Sequence, residues 1–186
     1  MANIKDLRVA VIATDGVEEA ELLEPVRALK AEGAQVEILS PRRGEIQCFR
    51  HLEPGVRVDA DKAINEADPG DYDGLVLPGG ALNADFLRAD RNTLRFVQSF
   101  DKEKKPMAVI CHAPWILISA GIVKDRTLTG YHTIEDDIRN AGGHWVDHEV
   151  ECDFNWVTSR QPSDLPTFIS AMISTFADFT DKTQYA

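Results

Sequence analysis

A chain of 186 residues with 44% hydrophobic and 27% charged content is long enough to close one sizeable core, so a single globular domain is expected. Its formal net charge of -11, with no basic run to offset it, argues against nucleic acid or an anionic membrane surface as partner. No apolar stretch is long enough to span a bilayer, and the polar stretch from Met1 to Arg8 lacks the apolar segment of a secretory signal. That N-terminal stretch leads to the expectation of a cytoplasmic location, and three scattered cysteines, Cys48, Cys111 and Cys152, too few for a disulfide framework, to that of reduced thiols.

In chain order, Arg8 to Ala13 is a short apolar run ended by Thr14-Asp15-Gly16, which predicts a central strand and a turn. A helix follows, with Leu22, Val26 and Leu29 on one face, Glu18, Glu19 and Glu21 crowding its first turn, and Gly33 at its end. Val36 to Leu39 predicts a second strand. From Arg42 to Asp61 the pattern is weak and reads as an irregular loop or hairpin. Tyr72 to Leu77 is again a buried-strand run and leads into Pro78-Gly79-Gly80, a turn of bare backbone that can approach a ligand. Asn92 to Glu103 predicts a helix, Met107 to Ile110 a strand, and Ala113 to Ala120 a further helix stopped by Gly121. Ile134 to Ala141 reads as helix, and Trp145 to Val150 and Trp156 to Ser159 as strands. Leu165, Phe168, Met172 and Phe176 mark a C-terminal amphipathic helix. The alternation predicts a doubly wound α/β sheet with helices on both faces and sites beyond the carboxyl ends of the strands.

Cys111 stands at one of those ends, where the Met107–Ile110 run stops and a helix begins. A nucleophile at a strand-to-helix turn is lifted above the sheet and meets free N–H groups, and a helix start favours thiolate. His112 follows directly and can move a proton, and Pro114 is tolerated in a first helical turn. The alternative reading is a small buried hydrophobe that ends a core strand.

In such a sheet, the turns after the Val9, Leu75 and Val109 strands converge. They bring together Glu18, the Gly79-Gly80 backbone, and Cys111 with His112. A carboxyl group in reach of the thiol and backbone donors for an oxyanion suit thiol addition to a carbonyl. Each part also has a plainer explanation. Three glutamates compete as partners of the helix dipole, Pro-Gly-Gly is too short for a dinucleotide fingerprint, and Asp85 can serve as a local helix charge or orient a nearby imidazole. His132, His144 and His148 lack the paired spacing of a zinc site, so neither metal nor cofactor is expected. Cys48 and Cys152, the latter in a predicted turn, read as incidental thiols.

The stretches Asp15-Gly16-Val17-Glu18-Glu19-Ala20-Glu21, Leu77-Pro78-Gly79-Gly80 and Ala108-Val109-Ile110-Cys111-His112-Ala113-Pro114 together resemble the PfpI family of the DJ superfamily. Leu117 to Gly121, Asp136 to Gly142, and Thr158 to Pro166 fit the same template, so the resemblance covers about residues 7 to 178. It implies a flavodoxin-like, class I glutamine amidotransferase-like three-layer sandwich with a mostly parallel central sheet. It also implies an elbow cysteine at Cys111 and a protonated glutamic acid, assigned to Glu18. By the same resemblance His112 is oriented by an acid, Asp85, from a neighbouring subunit of a homodimer or larger homo-oligomer, and Gly79, Gly80 and His112 form the oxyanion and substrate site. Ala81 to Asp85 is one residue longer than in some relatives, and Ala113 replaces a common glycine. The implied activity is a stress-response cysteine hydrolase acting on small reactive aldehydes or their protein adducts (glyoxalase or deglycase), or on peptides. The alternative is a redox sensor or chaperone in which Cys111 oxidises. A glutamine amidotransferase would need a C-terminal His-x-Glu pair, and His148-Glu149 has the wrong spacing.

Overall fold

The computed structural model describes residues 3–183, so the first two residues of the polar N-terminal stretch lie outside it. In chain order its elements are β1 (Arg8–Ile12), β2 (Val17–Glu18), α1 (Glu19–Ala31), β3 (Gln35–Ser40), β4 (Gly44–Arg50), β5 (Glu53–Ala60) and β6 (Lys62–Ala63). There follow β7 (Gly74–Leu77), α2 (Ala81–Leu87), α3 (Arg91–Lys102), β8 (Met107–Ile110), α4 (Pro114–Ser119), β9 (Thr127–Leu128) and α5 (Glu135–Asn140). The chain continues with β10 (His144–Trp145), β11 (Val150–Asp153), β12 (Trp156–Ser159) and α6 (Leu165–Thr183).

Seven strands make the main sheet in the order β11-β12-β8-β7-β1-β3-β6, with only β11 antiparallel to its neighbour. Parallel strands need crossover connections, and the helices that supply them cover both faces, giving the mostly parallel three-layer α/β sandwich expected. Alternation along each strand divides the core in two. Val9, Val11, Val76, Ala108 and Ile110 pack with Leu22 and Leu29 of α1 and with Phe168 and Met172 of α6. Ala10, Ile12, Leu75, Leu77, Met107 and Val109 face Phe96, Val97, Phe100, Ile116, Leu117 and Ile138 of α3, α4 and α5. Withdrawal of each large apolar side chain from water contributes about 1.5–3 kcal/mol, which fixes strand phase and with it the side to which each strand end points.

Of the two forms expected for the weakly patterned Arg42–Asp61 stretch, an irregular loop or a hairpin, the hairpin is found: β4 and β5 pair antiparallel and join β2 in a separate three-stranded sheet. Its alternation is faint because on β4 only Ile46 and Cys48 are buried, while most of β5 faces solvent. The expected strand from Trp145 to Val150 does not form, because only His144 and Trp145 pair with β9 before the next strand starts at Val150. Between them Asp147 turns to Arg160, 2.7 Å away, and the Glu149 carbonyl accepts the Ser159 hydroxyl at 2.6 Å. Cys152 therefore lies on β11 and not in a turn.

Candidate active site

β8, β7 and β1 are consecutive in the sheet, so their carboxyl ends and the three turns after them meet as the alternation predicted. At the end of β8, Cys111 has φ of 65°, the left-handed region that a side chain rarely adopts and that costs about 1–3 kcal/mol. Three neighbours hold it there. The Cys111 N–H donates to the Ser159 carbonyl at 3.1 Å, the Cys111 carbonyl accepts from the Tyr131 N–H at 2.8 Å, and Ala113 N–H closes a turn onto Ile110 at 3.1 Å. Pro114, first residue of α4, has no N–H to satisfy.

The carboxyl group beside the sulfur is that of Glu21, not Glu18. A Cβ placed on Gly79 would fall 2.4 Å from Glu21 Oε2 and 2.5 Å from Cys111 Cβ, so acid and cysteine flank the same bare backbone atom. The phase of α1 explains the choice. Glu21 shares the buried face of Leu22, Pro25, Val26 and Leu29 and is carried under the turn, whereas Glu18 precedes the helix. The Gly79 N–H donates to Glu21 Oε2 at 2.8 Å, so that amide, one of the donors expected for an oxyanion, is already occupied. The other oxygen, Oε1, is buried with no hydrogen-bond partner.

An orphaned buried oxygen is costly on a carboxylate and much less so on a carboxylic acid, which has a proton to offer. Burial first, and then the negative charge of Glu18, push the Glu21 carboxyl up to about 8, against the pull of the Gly79 amide. Glu21 is therefore a neutral acid at pH 7. Burial, followed by the charge of an ionised Glu21, also pushes the Cys111 thiol up, while the Gly80 and His112 amides pull it down. The pair accepts one negative charge and resists a second. The sulfur therefore rests as a thiol, with the Gly80 and His112 amides placed to meet charge on it as its proton leaves. A buried thiol replaces the dipole-stabilised thiolate expected from sequence, because burial outweighs the pull of those two amides.

His112 Nδ1 lies 3.2 Å from Cys111 Sγ, and its Nε2 lies 3.4 Å from the Thr133 hydroxyl. The ring stacks on Tyr131 at 4.7 Å and meets Trp115 edge-on at 5.2 Å. Burial, and then His132, lower its proton affinity, so it is a neutral base at pH 7. Asp85 lies exposed on α2 and forms no hydrogen bond or ion pair among the described residues. Two exposed apolar side chains of α2, Leu82 and Phe86, lie near it in sequence.

A cavity of about 660 Å³ opens beside the elbow, lined among others by Gly80, His112, Glu18, His51, Leu52, Leu82, Tyr131 and Ser163. Cys111, which precedes the lining residue His112, is itself 7% exposed. Glu18, the carboxyl expected at the sulfur, is instead at the rim, where its Oε2 accepts the His51 N–H at 3.0 Å. Gly80, at φ of 90°, packs its Cα so closely that a Cβ would fall 2.3 Å from the Gly16 carbonyl. Of the other thiols, Cys48 is buried and pushed up to about 11 by burial, and Cys152 is exposed on the sheet edge.

The model of the DJ-1/PfpI family matches residues 7–175. The chain is 42% identical over 159 residues to the deglycase TK1284 of Thermococcus kodakarensis, covering 86% of this chain and 93% of that protein. It is 38% identical over 162 residues to general stress protein 18 of Bacillus subtilis, covering 87% of this chain and 92% of that protein. Among solved structures, a two-domain Anabaena variabilis protein with DJ-1/ThiJ/PfpI-like and ferritin-like domains superposes with a TM-score of 0.86 at 33% identity, covering 91% of this chain and 48% of that one. With the strand ends, the elbow cysteine and the matched length in agreement, the chain belongs to the DJ-1/PfpI family.

Proposed function

We propose that the protein is a cysteine-dependent deglycase or glyoxalase acting on small reactive aldehydes or their adducts, with Cys111 as nucleophile. One observation carries the reading: a sulfur at a strained elbow, bracketed by a neutral carboxylic acid with an unpaired oxygen and a neutral imidazole 3.2 Å away. As Sγ adds to the aldehyde carbon, its proton passes to His112 Nδ1 and the carbonyl π electrons move to oxygen, forming a hemithioacetal. The Gly80 and His112 amides and the Glu21 acid meet the oxyanion, and Glu21 supplies its proton. As a carboxylate, Glu21 then takes the C–H proton of the former aldehyde carbon and gives it to the adjacent ketone carbon, while His112 gives its proton to the ketone oxygen and takes the one released by the hemithioacetal hydroxyl, leaving a thioester. Water cleaves the thioester to lactate and the free thiol, and the proton on His112 returns to Glu21. For methylglyoxal the net change is addition of one water to give lactate, the aldehyde carbon being oxidised and the ketone carbon reduced with no external oxidant. In an adduct the hydroxyl on the former aldehyde carbon gives up its proton and its electrons re-form the carbonyl as the bond to the amine or thiol breaks; the departing group takes that proton, and the sulfur then adds as above.

Cys111, a residue only 7% exposed and next to the cavity-lining His112, favours a small electrophile over an extended peptide. Asp85 takes the role of orienting His112 from a neighbouring subunit, with Leu82 and Phe86 beside it as apolar contact surface. The chain acts in the cytoplasm in this reading, and no helix among the described residues is long and apolar enough to cross a membrane. The test is lactate formation from methylglyoxal, beside cleavage of a peptide substrate, by wild type and Cys111→Ala. Lactate formation lost with the sulfur is expected, and equal turnover by the variant refutes the assignment.

A further inference from the structure

Glu18, Glu19 and Glu21 lie within four residues and meet three different fates. Glu21 is buried as a neutral acid. Glu19 is neutralised by Arg50, 3.0 Å away, and also accepts the Val56 N–H at 2.7 Å. Glu18 faces the cavity, and its carboxylate has neither lysine nor arginine as partner among the described residues. Its side chain is 13% exposed, one oxygen accepts the His51 N–H, and the His51 Nδ1 stands off at 3.8 Å on a ring that is 84% exposed. No other residue lining the cavity is acidic, and none is lysine or arginine. Phe49, Leu52, Leu82 and Pro162 supply apolar wall around it, where a charge is screened less than in open water. The field of Glu18 also reaches the reacting pair, because it is one of the causes that raise the Glu21 carboxyl.

We infer that Glu18 is a specificity-determining residue of the Cys111 site. It selects electrophiles that carry a positive amine or guanidinium group beside the reacting carbon and disfavours anionic ones. Adducts on the side chains of lysine and arginine fit this description, and 2-oxo acids do not. The inference rests on the reading of Cys111 as the nucleophile, and it concerns which charge the cavity admits and not how the chemistry proceeds.

The test measures second-order rate constants for modification of Cys111 in a Cys152→Ser background by two methanethiosulfonates of similar size, one ending in trimethylammonium and one in sulfonate. Each transfers its alkylthio group to the sulfur and releases methanesulfinate, so the rate reports access and field at Sγ without turnover. The cation-to-anion ratio, normalised to that of a small free thiol, is expected to exceed one in wild type and to fall roughly tenfold in Glu18→Gln. It is also expected to shrink as salt rises from 0.1 to 1 M. Gln keeps an acceptor for the His51 N–H, and any general loosening of the rim moves both rates together and leaves the ratio alone. Ser163→Lys, which puts a cation in the same cavity wall, is expected to lower the ratio too. A ratio in Glu18→Gln within threefold of wild type overturns the inference. Absence of lactate formation with the ratio behaving as expected sinks the proposed activity and leaves the charge selection standing.

Discussion

Replacing Glu21 by Gln separates what the site needs for chemistry from what the fold needs for stability. In the unfolded chain this carboxyl titrates at its ordinary value of 4.5, and in the folded protein burial holds it at about 8. The native state therefore binds a proton that the unfolded state has released, and stability falls as pH rises from 4.5 toward 8. Below 4.5 both states are protonated and the term vanishes; above 8 both are ionised and it levels off. At pH 7 the term amounts to about 3 kcal/mol, at 1.36 kcal/mol for each pH step across most of the interval. Gln is a neutral isostere whose carbonyl can still accept the Gly79 N–H and whose stability carries no such slope. Chemical denaturation of both proteins from pH 4.5 to 8 should show Glu21→Gln gaining on wild type by about 3 kcal/mol between pH 4.5 and 7. Lactate formation should fall roughly 10²–10⁴-fold in the same variant, because the amide cannot shuttle a proton. A stability difference that stays flat over that range would falsify the claim that Glu21 is held neutral, and with it the assignment of Glu21 as the acid.

Three further outcomes follow from the same geometry. Gly79→Ala forces a methyl to within 2.4 Å of Glu21 Oε2 and 2.5 Å of Cys111 Cβ; it should cost about 1–3 kcal/mol in a denaturant titration and reduce turnover. His112→Gln should lower kcat roughly 10²–10⁴-fold, and a loss below tenfold in steady-state assays would show that this ring is not the base that takes the Cys111 proton. Asp85→Asn should lower kcat and shift its pH profile only in an oligomer. If size-exclusion chromatography finds an active monomer, or the profile does not move, Asp85 has no part in orienting His112.

Much of the scaffold was legible because β1, β7 and β8 are buried on both sheet faces and read as continuous apolar runs that end at turns. The same logic located Cys111, since only one thiol stands where such a run meets a helix. The acid was not legible from position along the chain. Glu18, Glu19 and Glu21 are equivalent as charges at a helix start, and only the rotation of α1 distinguishes them. Its signal was nevertheless present: counting back four from Pro25 and eight from Leu29 arrives at Glu21, on the apolar stripe, where a carboxylate is anomalous. The hairpin of β4 and β5 could not be told from an irregular loop, because an element that shows most of one strand to solvent has little apolar alternation to display.

The way the elbow is built also explains where substrate choice can reside. Around the sulfur the close contacts are made by backbone: Gly79 against Cys111 Cβ, Gly80 against the Gly16 carbonyl and the Glu18 amide, and Gly130 against the Cys111 carbonyl, where an added Cβ would lie 3.2 Å away. A side chain at these positions would have to push its neighbours aside, so the elbow presents the same groups to any electrophile that arrives. Variation has more room at the rim, on residues such as Glu18, His51, Leu52, Leu82 and Ser163, which line the cavity. A charge at that rim acts at a distance, through the field, on whatever approaches Sγ. Selection by charge is thus the form of specificity that this architecture can add or remove with a single substitution.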